Sequence, residues 1–390
     1  MTVDAELVAK VRGRLAAEAT TPTRARVAAL VREEVGVRGA SQVLAAVETL
    51  RNELIGAGPL EALLREPGVT DVLVNGPAEI WVDRGRGLEL SKVRFGDDRE
   101  IRRLAVRLAA AAGRRLDEAM PYADIRLADG VRLHAVLPPV SANGISLSFR
   151  IPRRQAFHLD EWVEGGAMSR AVADVLAGVV ASRASFVVTG GTGTGKTTLL
   201  STLLGCVDPR ERIVLVEDSG ELRPTHPHVV RLEARAPNIE GVGAIELRAL
   251  VRQALRMRPD RLVVGEVRGA ECVDLLAALN VGHDGGAGTL HANSVADVPA
   301  RIEALCTAAG LSRDAAHSQL AAGLRVVIQL GRGFDGRRLV DAIGVVSRRA
   351  DGLVDVRPAV QRRGSQWSAG VARADLDRLL TGRDESAGGW

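Results

Sequence analysis

The stretch "FVVTGGTGTGKTTLL", Phe186 to Leu200, constrains this chain more than any other part of it. A short apolar run with strand character enters a glycine-rich turn, and "KTTLLSTLLG" leaves the turn with helical character. Gly190, Gly191, Thr192, Gly193, Thr194, Gly195, Lys196 and Thr197 fit G-x-x-x-x-G-K-[ST] in the strand-to-helix context which that motif needs. Glycines let the loop wrap closely, so successive backbone N–H groups point inward at phosphate oxygens. The following helix adds its positive N-terminal end. Lys196 is placed to reach β- and γ-phosphates, the Thr197 hydroxyl to ligate Mg²⁺, and Thr198 closes the binding stretch. Of 52 Lys+Arg in the chain only three are lysines, at positions 10, 92 and 196. A compact point charge on a flexible stem is what the loop requires, and the planar arginine fork does not supply it.

Composition frames that loop. At 390 residues the chain is long enough for two or three domains. Hydrophobic residues make up 46% and aromatics 3%, so the cores must be mostly Ala, Val and Leu. A formal net charge of +4 is mild for this length and does not argue for nucleic acid. Cys206, Cys272 and Cys306 are far apart and form no C-x-x-C, which excludes a disulfide framework or a thiolate zinc module and fits a reducing cytosol. The start "MTVDAELVAK" lacks the apolar stretch of a signal peptide. The longest apolar run, Val172 to Val188, is broken by Asp174 and Arg183 and falls short of a membrane span.

Residues 1–55 read as helices, with apolar residues at three- and four-residue spacing in "VAALVREEV" and "ASQVLAAVETLRNELIG". Residues 56–151 read as a small α+β domain. It has strands at "VTDVLVNG" and "EIWVDRG", a helix at "DREIRRLAVRLAAAAGR", a hairpin turning at Asp129-Gly130, and a strand "GISLSFR" stopped at Pro152. Residues 152–165 read as a polar linker. From 166 to 360 helical segments alternate with the apolar strands "SFVVTG", "RIVLVED", "RLVVGEV" and "RVVIQL", the pattern of a parallel or mixed sheet covered by helices, closed by a hairpin. Residues 361–390 read as a polar, frayed tail.

Acidic residues stand at the ends of two of these strands, where ligands sit in open α/β sheets. "RIVLVEDSGEL" places Glu217, Asp218 and Glu221 there, and a carboxylate can orient an attacking water. "PDRLVVGEVRG" is apolar until Glu266, expected to close a second strand beside the phosphate loop and hold Mg²⁺ through water. His283 and His291 in "GHDGGAGTLHANS" are either polar sensors near a phosphate or loop and strand-capping histidines; their spacing does not suit a metal pair on one helix. His226 and His228 in "PTHPH" read as a turn.

In this order the phosphate loop, "EDSGEL", "RMRPDRLVVGEVRG" and "GHDGGAGTLHANS" resemble the Walker A, Asp, Walker B and His boxes of the secretion ATPases of type II and type IV secretion and of pili. "GAGPLEALLREPGVTDVLVNGP", "DGVRLHAVLPP" and "ISLSFR" resemble the CpaF-type branch, the ATPases of Tad (Flp) pili. The resemblance covers residues from about 53 to about 345. It implies an α/β fold with a RecA-like core and a smaller N-terminal domain, ATP and Mg²⁺ as ligands, and a homohexameric ring on the cytoplasmic face of the inner membrane. There it would move a membrane platform protein to add or remove pilin, without direct nucleic-acid binding. Box by box, it implies that Glu221 is the general base, that Glu266 acts in Walker B, and that His291, with His283, senses the γ-phosphate. Arg132 and Arg150 would contact phosphate, and Arg258 would be offered across the subunit boundary. Two other readings compete: a DNA-translocating motor, and a ring scaffold that binds ATP without hydrolysing it. "EDSGEL" and "GGAGTLH" depart from the usual box sequences without losing a charged group, and the cysteine module of many type II ATPases is absent.

Overall fold

Alternating and continuous apolar runs become two different kinds of sheet. The computed structural model describes residues 56–381, except 86, 128–129, 153–156, 236, 239–240, 283, 334–335 and 365, together with residues 10, 14, 29, 30 and 33. The helices expected over 1–55 therefore lie almost wholly outside the described residues. The chain divides into two compact units, residues 1–153 and 154–390.

In the first unit the strands are β1 (Asp71–Val74), β2 (Ile80–Asp83), β3 (Leu88–Leu90), β4 (Tyr122–Arg126), β5 (Arg132–Val136) and β6 (Ser146–Arg150). They form one antiparallel sheet in the order β3-β2-β1-β6-β5-β4. Alternate residues are buried, as a half-solvated sheet requires. Helix α1 (Glu61–Arg65) precedes the sheet, and α2 (Asp98–Ala111) buries Ile101, Leu104, Ala105, Leu108 and Ala109 at helical spacing. The Asp97 side chain caps α2 by accepting from the Glu100 N–H. Edge strand β3, Leu88-Glu89-Leu90, is exposed at all three positions.

The second unit contains α3 (Leu159–Glu164), α4 (Arg170–Ala181), β7 (Phe186–Thr189), α5 (Lys196–Gly205), β8 (Ile213–Glu217), β9 (Val229–Glu233), α6 (Leu247–Ala254) and β10 (Arg261–Val267). It continues with α7 (Glu271–Leu279), β11 (Ala287–Leu290), α8 (Val298–Ala308), α9 (Arg313–Gly323), β12 (Val326–Arg332), β13 (Arg338–Arg348), β14 (Val354–Arg363), β15 (Gln366–Ala369) and α10 (Arg373–Thr381). The sheet order is β15-β14-β13-β12-β7-β11-β10-β8-β9. From β12 to β9 the strands are parallel, and from β12 to β15 antiparallel. Strands β7, β8 and β11 are buried throughout. Side chains of β7, β8 and β10 feed two cores, one on each face: Phe186, Val188 and Leu215 pack with α4 and α5, and Val187, Val214 and Val264 with α6 to α9. This is a RecA-like α/β core of helices on both faces of a mainly parallel sheet.

Two expectations about the chain's course need correction. Residues 152–165 are not a free polar linker, because α3 occupies 159–164 and buries Trp162 in the core of the second unit, where its Nε1–H donates to Thr202 Oγ1 at 3.0 Å. Asp160, Glu161 and Glu164 are the solvent face of a short amphipathic helix. Residues 361–381 are not a frayed tail either. Strand β14 runs to Arg363, β15 pairs with it, and α10 buries Leu376 in the same core. Its Arg and Asp residues pair with one another on the outside, as Arg357 and Arg378 do with Asp375. Strands β9 and β11 also escaped the sequence reading; "AGTL" looked like glycine-rich loop and is a central strand.

Candidate active site

The loop after β7 takes the conformation its glycines permit. Gly190, Gly193 and Gly195 have φ of 145°, 71° and 98°. A Cβ on Gly190 would lie 2.6 Å from the Leu330 carbonyl, so close packing of β12 against the loop demands glycine there. Thr194 is buried and its hydroxyl donates to the Gly191 carbonyl at 2.9 Å, which tightens the loop from within. Gly191, Thr192 and Gly193 remain exposed, and Thr197 and Thr198 are half-buried at the start of α5. Lys196 is buried, and its ammonium donates to the Gly190 and Gly191 carbonyls at 3.0 and 2.9 Å.

Acidic groups gather at the same, carboxyl-terminal edge of the parallel sheet. Glu217 closes β8 and is buried. Its Oε1 accepts the N–H groups of Glu221 and Leu222 at 2.8 and 2.9 Å, fixing the segment that carries Glu221. Burial pushes the Glu217 carboxyl above its ordinary range, against the pull of those two N–H groups. Glu221, by contrast, is half-exposed and turns its Oε2 to Thr197 Oγ1 at 3.5 Å. Gly265 on β10 leaves room for this arrangement, since a Cβ there would stand 2.7 Å from Glu217 Cγ.

Glu266 comes from β10, which is separated from β7 by β11. The inserted strand delivers His291, whose Nε2 lies 3.0 Å from Glu266 Oε1 and whose Nδ1 lies 3.5 Å from Lys196 Nζ. Lysine, histidine and glutamate thus form one row across the ends of three strands. Arg268 extends it, pairing with Asp218 and approaching Glu266 at 4.0 Å. The carboxylate against Thr197 is that of Glu221, while Glu266 faces His291.

Other singled-out residues lie elsewhere. Arg258 is exposed, with a left-handed φ of 53°, three residues before β10 begins. It is at the amino-terminal edge of the sheet, the edge opposite the phosphate loop. Arg132 and Arg150 belong to the first unit and are cross-strand neighbours in register on β5 and β6, flanked by Arg126 and Asp71. His283 lies outside the described residues. His226 and His228 form a turn, in which the His228 N–H donates to His226 Nδ1 at 3.1 Å. Sequence reading missed Gln329 and Arg332 on β12. Gln329 is buried, and an Arg332 Nη2–H donates to the Gly193 carbonyl at 3.0 Å. No motif marks either, although a glutamine inside the apolar run "RVVIQL" was a signal of a buried polar contact.

The residues present suit a nucleotide with Mg²⁺. The loop offers glycines at positive φ and a buried ammonium, and Thr197 and Glu266 are hard oxygen donors of the kind Mg²⁺ shares with substrate phosphates and water. Fold and site together define a RecA-like phosphate-loop protein of the secretion ATPase class. The chain belongs to the family described as "Type II/IV secretion system protein", which it matches over residues 53–356. It is similar to "Putative conjugal transfer protein Rv3659c" of Mycobacterium tuberculosis (strain ATCC 25618 / H37Rv), 55% identical over 322 residues, covering 81% of this chain and 91% of that one. It is also similar to "Type IV secretion system protein PtlH" of Bordetella pertussis, 32% identical over 270 residues, or 63% of this chain and 79% of the relative. Among solved structures, the DotB ATPase of Yersinia pseudotuberculosis shares the fold with a TM-score of 0.53 at 16% identity, over 83% of this chain and 82% of that one. No described helix is long and apolar enough to cross a membrane.

Proposed function

We propose that this chain is an ATPase that converts ATP hydrolysis into motion of a secretion or pilus-assembly machine. The observation that carries the reading is the convergence of Lys196, Glu221, Glu266 and His291 at one sheet edge, from four separate segments. On ATP binding the Lys196 ammonium exchanges the Gly190 and Gly191 carbonyls for β- and γ-phosphate oxygens. Thr197 and Glu266 would hold Mg²⁺, which when bound would draw charge from the phosphates. Glu221, half-exposed and anchored through its own N–H, orients the attacking water. His291, between Lys196 and Glu266, reads whether a γ-phosphate is present. Arg132 and Arg150 add charge to the transferring group, and Arg258 serves a neighbouring subunit's nucleotide in a homohexameric ring. The ring works from the cytoplasmic face of the membrane against a platform protein; the CpaF-like N-terminal motifs favour a Tad-type pilus.

A second reading is favoured by the conjugal-transfer name of the relative at 55% identity: the same motor serves a conjugation apparatus. Phosphate release by the purified chain, with Lys196→Ala as control, tests the enzyme reading. Absence of release under all nucleotide and Mg²⁺ conditions would leave only a binding scaffold. Stimulation of that activity by single-stranded DNA would favour the nucleic-acid motor.

A further inference from the structure

We propose that Gln329 is a positioning residue that locks the His291 segment to the phosphate loop, so that its loss slows turnover without a matching loss of nucleotide binding. The proposal rests on the ATPase reading above. Gln329 lies on β12, in register with Thr189, the last residue of β7 before the loop. Its side chain is 6% exposed, so its amide must find every partner within the protein.

It does, and the partners belong to the site. The Thr189 hydroxyl donates to Gln329 Oε1. Gln329 Nε2 donates to the carbonyls of Ala292 and Asn293 at 3.3 and 3.2 Å, and to that of Leu330 at 3.3 Å. Three carbonyls around one atom fix which end of the amide is nitrogen. One side chain therefore ties the root of the phosphate loop to the two residues that follow His291. The ladder between β12 and β13 shifts register between Gln329 and Leu330, the extra residue being Asp341 on β13, so β12 itself runs through Gln329 without an inserted residue. The same strand grips the loop twice more, through the Leu330 carbonyl at Gly190 and Arg332 at the Gly193 carbonyl.

Nothing in this arrangement places Gln329 on the nucleotide itself. Its effect passes through His291, which stands 3.5 Å from Lys196 and 3.0 Å from Glu266. With leucine at 329 the two carbonyls lose their donor and the His291 backbone is free to shift. A misplacement of a fraction of an ångström in a group aligned with a phosphoryl centre slows chemistry more than it weakens binding.

The test uses the full chain and three measurements: kcat by phosphate release, affinity for a fluorescent ATP analogue, and thermal unfolding. Gln329→Leu is expected to lower kcat about tenfold or more while affinity changes less than about threefold. In a His291→Ala background it is expected to cost little further, because the two residues act as one unit. Gln329→Glu keeps the shape but turns a carboxylate oxygen toward three carbonyls. Its deficit is therefore expected to shrink as pH falls from about 8.5 to about 6 and the carboxyl takes a proton. This variant also keeps the test open if Gln329→Leu does not fold.

Wild-type kcat in either folded variant would overturn the proposal. So would additive losses in the double variant, a parallel fall in kcat and affinity, or a pH-independent deficit in Gln329→Glu. A wild-type chain that releases no phosphate at all would instead sink the ATPase reading, and affinity for the analogue would then be the only readout left.

Discussion

Replacing Glu221 by glutamine separates binding from chemistry, and the structure sets the size of each effect. The Glu221 backbone N–H is held by Glu217 Oε1 at 2.8 Å, so the glutamine side chain starts from the same anchored position. One ground-state contact that changes is the approach of Oε2 to Thr197 Oγ1, which at 3.5 Å is at the outer limit of a hydrogen bond. Nucleotide affinity should therefore change by less than about threefold, well under ~1 kcal/mol. On the proposed assignment, what is lost is the acceptor that orients water, worth ~10²–10⁴ in rate, or about 3–5 kcal/mol in the transition state. Glu217→Gln is the matched comparison. Glu217 is 3% exposed, its Oε1 takes two N–H groups and its Oε2 is buried without a hydrogen-bond partner, so neither oxygen is open to solvent. The amide keeps that accepting oxygen, and turnover should stay within about tenfold of wild type. Phosphate release and equilibrium binding of a fluorescent nucleotide, measured on the same preparations, read both numbers. Wild-type turnover in Glu221→Gln, or the reverse pattern with Glu217→Gln inactive, would refute the assignment of Glu221 as base.

Three further predictions concern stability and the first unit. Gly285→Ala should destabilise the second unit by about 3–5 kcal/mol, as breaking a buried ion pair does: a Cβ there would stand 2.0 Å from Arg261 Nη1 at a φ of 75°, displacing the 2%-exposed arginine that pairs with Glu211. A shift in the urea midpoint worth less than ~1 kcal/mol would show that Arg261 relaxes without cost. Glu217 has a folded-state pKa raised above 4.5, so its contribution favours folding at acid pH and fades as pH rises through the folded value; the stability of Glu217→Gln relative to wild type should accordingly grow with pH above about 4.5, and a pH-independent difference in urea midpoints would contradict the sign. On the proposed role of Arg150 as a phosphate contact, Arg150→Ala should lower turnover about tenfold or more, and a core lacking the first unit should be similarly slow. That core must begin at Phe157 or before, since a start at Gly166 would remove Trp162 from its hydrophobic core. Turnover equal to wild type in both would leave the first unit as a docking platform.

Much of this protein is local in origin and so was written in its sequence. The glycine-rich loop is legible because only glycine tolerates its backbone angles and only lysine supplies its point charge. The buried strands are legible because a strand covered on both faces must be apolar at successive positions, as in "SFVVTG" and "RIVLVED". Glu217, Glu221 and Glu266 were legible as carboxylates that follow such strands. The order of the strands was not, because pairing is made between distant segments: β11, which carries His291, slips between β7 and β10, although "GAGTL" has the composition of a loop. Nor could the sequence say which carboxylate after β8 is sealed into the core and which faces Thr197. That is decided by how closely β10 approaches at Gly265. Trp162 and α10 were read as linker and tail because their charged residues dominate a short stretch, and only packing shows their apolar side turned inward. Gln329 is the clearest case. Its amide is satisfied by groups from β7, from the segment after β11 and from its own strand. A buried polar side chain takes its meaning from partners that the chain brings together only when it has folded.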